Sequence, residues 1–370
     1  VSPAEGNGPD APESRVGVQR RDLFVAAGTA AVAGAIGWVA RGATPGGSPD
    51  VSAAEATPAP AGPLLPGITV PAVPQRYVLV TAYSFANASD DELVAAARTA
   101  IEATPDVPDD SGALTVTAGF GIERARQIWP DRCAHDDLPA FANDVDDIVR
   151  GGDLLLQVCA ETAAAVIDVA ASLGQALGAG ARPLWSERGY RDAPTPEGTA
   201  RTPIGFVDGI VNPRTREEQN AGVWTDPDRG DTFMVVRRMF IATDFLALST
   251  AQQEHAIGRR RDTGAPLSGG DTMDDVDLLA KAPDGTLATP VHSHARRAHP
   301  ANIGRGLMLR RSYGFDPPTG AGLIFVAFMA DPHTFTLTQR RLDEADDLIR
   351  HTVTDASGCF FVPGHDFSTA

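Results

Sequence analysis

Cysteine is scarce: Cys133, Cys159 and Cys359 are the only three in 370 residues. None forms a Cys-x-x-Cys pair or stands at a metal-ligand spacing, which argues against a disulfide framework and leaves buried thiols as the expectation. Basic residues are also few, 31 Lys and Arg against 48 Asp and Glu, for a formal charge of −17. A nucleic-acid binder would show a basic face, so that class is set aside. An acidic exterior is otherwise a general solubility device and names no substrate. No His-Glu-x-x-His zinc motif occurs. What is present is 43% hydrophobic and 21% charged residues, a globular profile over a length that suits two ordinary domains.

Residues 1–42 read as a signal segment. Arg20-Arg21 precede Asp22 and an uncharged, Ala- and Gly-rich run from Leu23 to Ala40, the layout of a twin-arginine signal that exports folded proteins. The run just reaches spanning length, so a membrane anchor is the competing reading, disfavoured by its weak hydrophobicity. Residues 43–75 are dense in Pro, Gly, Ala and Ser, as in a tether that cannot bury a core.

The folded part is expected to begin near Tyr77. Strand-like stretches at Tyr77–Phe85, Ala113–Gly121, Gly152–Cys159 and Arg182–Tyr190 alternate with helical ones after Ser89 and Thr162, giving the order βαββαβ over residues 76–200. That is the ferredoxin-like order. It recurs over residues 201–370: a strand at Thr232–Ala242, a helix at Ser249–Ile257, a long insertion from Gly258 to Arg305, strands at Leu307–Phe315 and Ala321–Ala330, a helix at Leu337–His351 and a short strand at Cys359–Val362. The expected fold class is α+β, with two ferredoxin-like domains forming a double sandwich of the dimeric α/β-barrel kind.

Three stretches offer chemistry. Between the halves, Gly205-Phe206-Val207-Asp208-Gly209 with Asn212-Pro213 displays an acid in a turn between glycines, either a working acid or a plain Asx turn. His292, His294 and His299 fall within eight residues. Neutral imidazole is a common metal ligand, so this segment suits zinc, a haem iron or simply a solvated basic loop. Arg310-Arg311 interrupt an apolar strand whose faces alternate, so one guanidinium points inward and needs an anionic partner.

Taken in order, these blocks resemble the dye-decolourising peroxidases over nearly all of the chain after the tether. Gly205 to Gly209 with Asn212-Pro213 is similar to that family's GxxDG signature, Val235 to Arg238 to its VVRR strand, and Gln253-Glu254 to Leu267 to its QE…GR…GAPL run. His294-Ala295-Arg296 with Ala298-x-Pro300 is similar to HxRxANP, Leu309 to Tyr313 to LRRxY, and Gly322 to Phe325 to GLxF. The twin-arginine start is most similar to the exported branch that includes deferrochelatase/peroxidases.

The resemblance implies one haem b per chain, with His294 as axial iron ligand, Asp208 as acid-base residue and Arg310 as its partner arginine. Gly209, Ile210, Val211, His299, Pro300 and Ala301 are the implied further haem contacts, and Asp346 is a candidate partner for His294. The implied reaction reduces hydrogen peroxide while oxidising a dye-like or phenolic donor, with iron release from haem or plain haem carriage as alternatives. Trp129, Trp185, Trp224 and Tyr313 stand either as core residues or as electron relays to bulky reductants. His299 in place of Asn, Thr202 in place of Asn, and Ile210-Val211 in place of Thr-Ala depart from the family pattern. The export machinery, a small-molecule reductant and a membrane-associated iron-uptake partner are the implied partners, oligomer formation is left open, and the expected location is periplasmic, extracellular or on the cell envelope.

Overall fold

The alternation of β-branched and aromatic residues in Tyr-Val-Leu-Val-Thr-Ala-Tyr-Ser-Phe forms β1 (Tyr77–Phe85) in the computed structural model, which describes residues 64–104, 114–364 and 367–368. The signal segment and most of the tether lie outside the described residues. Helix α1 (Asp90–Glu102) opens on a complete capping box: Glu92 N–H donates to the Ser89 hydroxyl, and Ser89 N–H donates to the Glu92 carboxylate at 2.7 Å. Then come β2 (Leu114–Gly121), α2 (Ile122–Ile128), β3 (Asp144–Arg150), β4 (Leu154–Ala160), α3 (Ala163–Ala176) and β5 (Ala181–Tyr190).

A small hairpin of β6 (Ala200–Arg201) and β7 (Val207–Asp208), with α4 (Arg216–Gly222), forms the crossover. The second repeat runs β8 (Thr232–Ile241), α5 (Thr243–Ala247), α6 (Thr250–Ile257), α7 (His294–Arg297), β9 (Leu309–Arg310), β10 (Tyr313–Phe315), β11 (Ala321–Met329), α8 (His333–Ala345) and β12 (Thr352–Val362). Among the described residues no helix is long and apolar enough to cross a membrane.

The first repeat orders its strands β5-β1-β4-β2 and the second β12-β8-β11-β10, both antiparallel. Each is the ferredoxin-like order, and the α+β double sandwich is the fold. The two sheets join at both sides. Phe360 and Phe361 of β12 pair with Gly121 and Phe120 of β2, and Gly314 of β10 pairs with Tyr190 of β5, so eight strands close into a ring. The interior draws on both repeats: Val80, Leu155, Met234, Val236, Ile324 and Phe328 are wholly buried. Each contributes about 1.5 to 3 kcal/mol by burial. At the β5–β10 seam a Cβ on Gly189 would stand 2.7 Å from Tyr313 Cβ, so only glycine lets these strands close.

The structure corrects several boundaries. The expected helix Leu337–His351 starts earlier, at His333, and ends at Ala345, because Asp346 caps it and the chain turns away into a 3-10 segment, Ile349–His351. The expected strand Leu307–Phe315 splits into β9 and β10. The short closing strand is instead the eleven-residue β12, whose polar start is buried against Asn143 and Arg237. Helix α2 and strand β3, the latter parallel to β12, were not expected. All three cysteines are free and buried. Trp129, Trp185, Trp224 and Tyr313 are all buried, so none is a surface aromatic.

Candidate active site

The β6–β7 hairpin carries the acid. Thr202 donates its N–H to Phe206 O and Gly205 its N–H to Thr202 O, both at 2.8 Å, with Gly205 at φ 86°. Arg201 locks the tip by donating to the carbonyls of Gly205, Arg261 and Asp262. Asp208 ends the hairpin and Gly209 follows at φ 85°, a conformation glycine adopts without strain. In that turn the Gly209 N–H donates to Asp208 Oδ1 at 2.7 Å. That bond runs to the next residue and not two residues on, so Asp208 is a displayed acid and not an Asx turn.

Arg310 approaches from β9. Its Nη2 donates to Asp208 Oδ1 at 3.2 Å and its Nη1 to Val211 O at 2.8 Å. Asp208 Oδ2 has no partner among the described residues. Strand β9 lies at an edge, paired on one side with β11, and its other side needs partners for its backbone groups. Asn212 supplies them: Arg310 N–H donates to Asn212 Oδ1 at 2.9 Å, and Asn212 Nδ2 donates to Arg310 O at 3.0 Å. The sequence reading gave Asn212 no role of its own. The signal was an amide residue just before proline in the same turn as the acid.

His294 opens α7. Its Nδ1 lies 3.0 Å from Asp346 Oδ2, while Asp346 Oδ1 accepts the N–H groups of Leu348 and Ile349 at 2.8 Å each. The carboxylate is wholly buried and so fixed that the imidazole donates from Nδ1, leaving Nε2 free as a metal donor. Asp346 is where the sequence reading put it. His292 faces elsewhere, with Nδ1 3.0 Å from Ala345 O and its side chain exposed. The His292/His294 pair therefore makes no zinc site.

Asp208, Arg310 and His294 line one cavity of about 270 Å³. Ile204, Phe206, Ile241, Leu307, Phe325 and Phe335 supply much of its wall. Asp208 and His294 keep 28% and 35% of their side-chain surface accessible, and the space they face is this cavity. Ile210, Val211, His299 and Pro300 also line it. His299 is held by Asp275 at 3.0 Å and caps the following 3-10 turn by accepting the Ala301 N–H. Gly209 and Ala301 do not line the cavity: Gly209 serves Asp208, and Ala301 is exposed.

Electrostatics follow from this packing. Burial pushes the Asp208 carboxyl up, but the charges of Arg310 and Arg191, the Gly209 N–H and the Arg310 hydrogen bond outweigh it and hold it below its ordinary value. Burial pushes His294 down, but the Asp346 charge and hydrogen bond outweigh that and raise it. The donor set fits haem: an apolar slot, one oriented imidazole with a free nitrogen, and an acid–arginine pair in the same space.

Comparison with known proteins agrees. Residues 85–191 match the family model described as Dyp-type peroxidase, N-terminal, and residues 199–367 the model described as Dyp-type peroxidase, C-terminal. The chain is 32% identical to a dye-decolorizing peroxidase of Thermobifida fusca, over 94% of this chain and 95% of that one. A deferrochelatase of Escherichia coli is 29% identical over 60% of this chain and 58% of its own length. Among solved structures, a DyP-type peroxidase from Streptomyces coelicolor superposes with TM-score 0.72 at 31% identity, covering 81% of this chain and 91% of that one. Ferric DtpA from Streptomyces lividans gives 0.73 at 31%, covering 83% and 94%. The chain belongs to the Dyp-type peroxidase family.

Proposed function

We propose that this haem-dependent peroxidase takes its proton chemistry from Asp208 and Arg310, holds haem b through His294, and oxidises dye-like or phenolic donors outside the cytoplasm after twin-arginine export. The observation that carries the residue roles is the convergence of Asp208, Arg310 and the oriented His294 on one apolar cavity. Bound haem supplies the redox iron.

The rest is done by the chain. Asp208 Oδ1 is taken by Gly209 and Arg310, so Oδ2 is the atom that accepts a proton from hydrogen peroxide and returns it to the departing oxygen. Arg310 stays charged and stabilises the negative charge that develops on that oxygen. Asp346 keeps the His294 tautomer, and the apolar wall limits water around the acid. The balance is one peroxide, two electrons from two one-electron donors and two protons, released by the donors or taken from solvent, giving two waters and two oxidised donors.

The export reading rests on Arg20-Arg21 and the following uncharged run. The test of the chemistry is steady-state peroxide turnover against pH with a dye and a phenol, on protein showing a Soret band. Asp208→Asn or Arg310→Leu protein with full turnover would refute the assigned roles. Iron release from haem, suggested by the similarity to a deferrochelatase, is read in the same preparation as free porphyrin after incubation with haem.

A further inference from the structure

Asp331 and His333 flank Pro332 where β11 gives way to α8, and His135 arrives there from the loop after α2 in the first repeat. His333 Nδ1 lies 2.9 Å from Asp331 Oδ1, and His135 Nδ1 lies 3.9 Å from the same oxygen. One ligand-capable atom from each residue lies within 4.8 Å of the others. A separation of 3.9 Å is too long for a hydrogen bond. Ligand atoms around a tetrahedral ion with bonds of about 2.0 to 2.1 Å stand roughly 3.3 Å apart, so small side-chain adjustments would bring all three onto one ion.

The surroundings keep the group in place. The His135 ring packs edge-on against buried Phe233, centroids 4.7 Å apart at 83°, with the His333 ring 5.7 Å away. Arg305 binds the other carboxylate oxygen, Oδ2, and so turns Oδ1 toward the two imidazoles. Asp331 Oδ1 also accepts the His333 N–H at 2.9 Å. None of the three residues lines the haem cavity.

We propose that His135, Asp331 and His333 form a binding site for one divalent first-row transition ion of the zinc type, separate from haem. Two imidazoles and one carboxylate suit such ions and not magnesium or calcium, which favour all-oxygen sets. Three protein ligands leave one position for water. The ion would tie a loop of the first repeat to the start of α8 in the second, so its binding would raise thermal stability by mass action.

The test uses full-length haem-loaded protein dialysed against zinc, with metal quantified and titration calorimetry run in parallel. The expected result is one zinc per chain beyond haem iron, a raised Tm, and no displacement by magnesium or calcium. His333→Ala, whose side chain is 60% exposed and so leaves the fold intact, and His135→Ala should each weaken zinc binding at least tenfold. His292→Ala should change nothing, and Arg305→Gln, which frees the carboxylate to turn away from the two imidazoles, should weaken binding. No retained zinc at tens of micromolar, or equal retention by wild type, His333→Ala and His135→Ala with unchanged Soret band and circular dichroism, would overturn the proposal.

Discussion

Asn212 touches neither acid nor imidazole, yet the position of Arg310 depends on it. Replacing it with alanine removes both bonds to the Arg310 backbone, at 2.9 and 3.0 Å. Each such bond is worth about 1 kcal/mol net, so a loss of roughly 2 kcal/mol is expected, with water reaching part of the vacated edge. For a fold of this size that lowers Tm by roughly 3 °C. The larger effect should fall on catalysis. With its backbone untied, Arg310 no longer presents Nη2 to Asp208 in one geometry, and a misplacement near 1 Å costs up to about 100-fold. The expected result for Asn212→Ala is a 10- to 100-fold fall in kcat/KM for peroxide, with the Soret band intact because His294 and Asp346 lie on other elements. Stopped-flow and steady-state assays at a fixed dye concentration read this directly. A variant that loses stability but keeps kcat/KM within twofold would show that Asn212 only closes a sheet edge, and one that loses haem would show that the two sides of the cavity are not independently built.

Other outcomes follow from the same geometry. Burial raises the Asp208 carboxyl, but Arg310, Arg191 and the Gly209 N–H hold it below the ordinary 3.8, so the carboxylate, and its contribution to stability, is present above that value and lost as pH falls through the depressed one. Peroxide turnover should therefore persist down to about pH 4, and Arg310→Leu, which removes the largest of the charges opposing burial, should move the acid limb of the pH profile upward. Asp208→Asn should lower kcat/KM by about 10²- to 10⁴-fold while keeping haem. Asp346→Ala strands two backbone N–H groups and releases His294 Nδ1, so haem affinity measured by transfer to apomyoglobin should fall about 10- to 100-fold. His294→Ala should lose the Soret band, whereas His292→Ala, which removes a side chain placed against Ala345 O outside the cavity, should keep it.

Much of the framework was legible because local signals agreed with the final packing. Ser89 opened α1 as read, the strand patterns of β1, β4 and β8 carried their own apolar runs, and glycines on both sides of Asp208 announced the displayed acid. What was missed depends on distant partners. The Asp-Val-Asp-Asp-Ile-Val-Arg stretch of β3 looks like a charged loop until it is paired with β12. The Thr-rich starts of α8 and β12 look exposed, yet Thr334, Thr336, Thr338 and Thr354 are buried. Two of these hydroxyls have named partners: Thr338 donates to Thr334 O, and Thr354 accepts from both Asn143 and Arg237. No pattern within one half shows that β10 reaches Tyr190 of the other, and closure of the ring rests on that pairing.

That closure has a consequence for the chain as two pieces. A cut within residues 192–198 would leave one fragment with β2 and β5 as bare margins and another with β10 and β12 in the same condition, since each had been covered by the other fragment. Neither piece would then be a finished protein: each would seek its complement or a second copy of itself, and mixing the two should restore the Soret band only when both are present before haem is added.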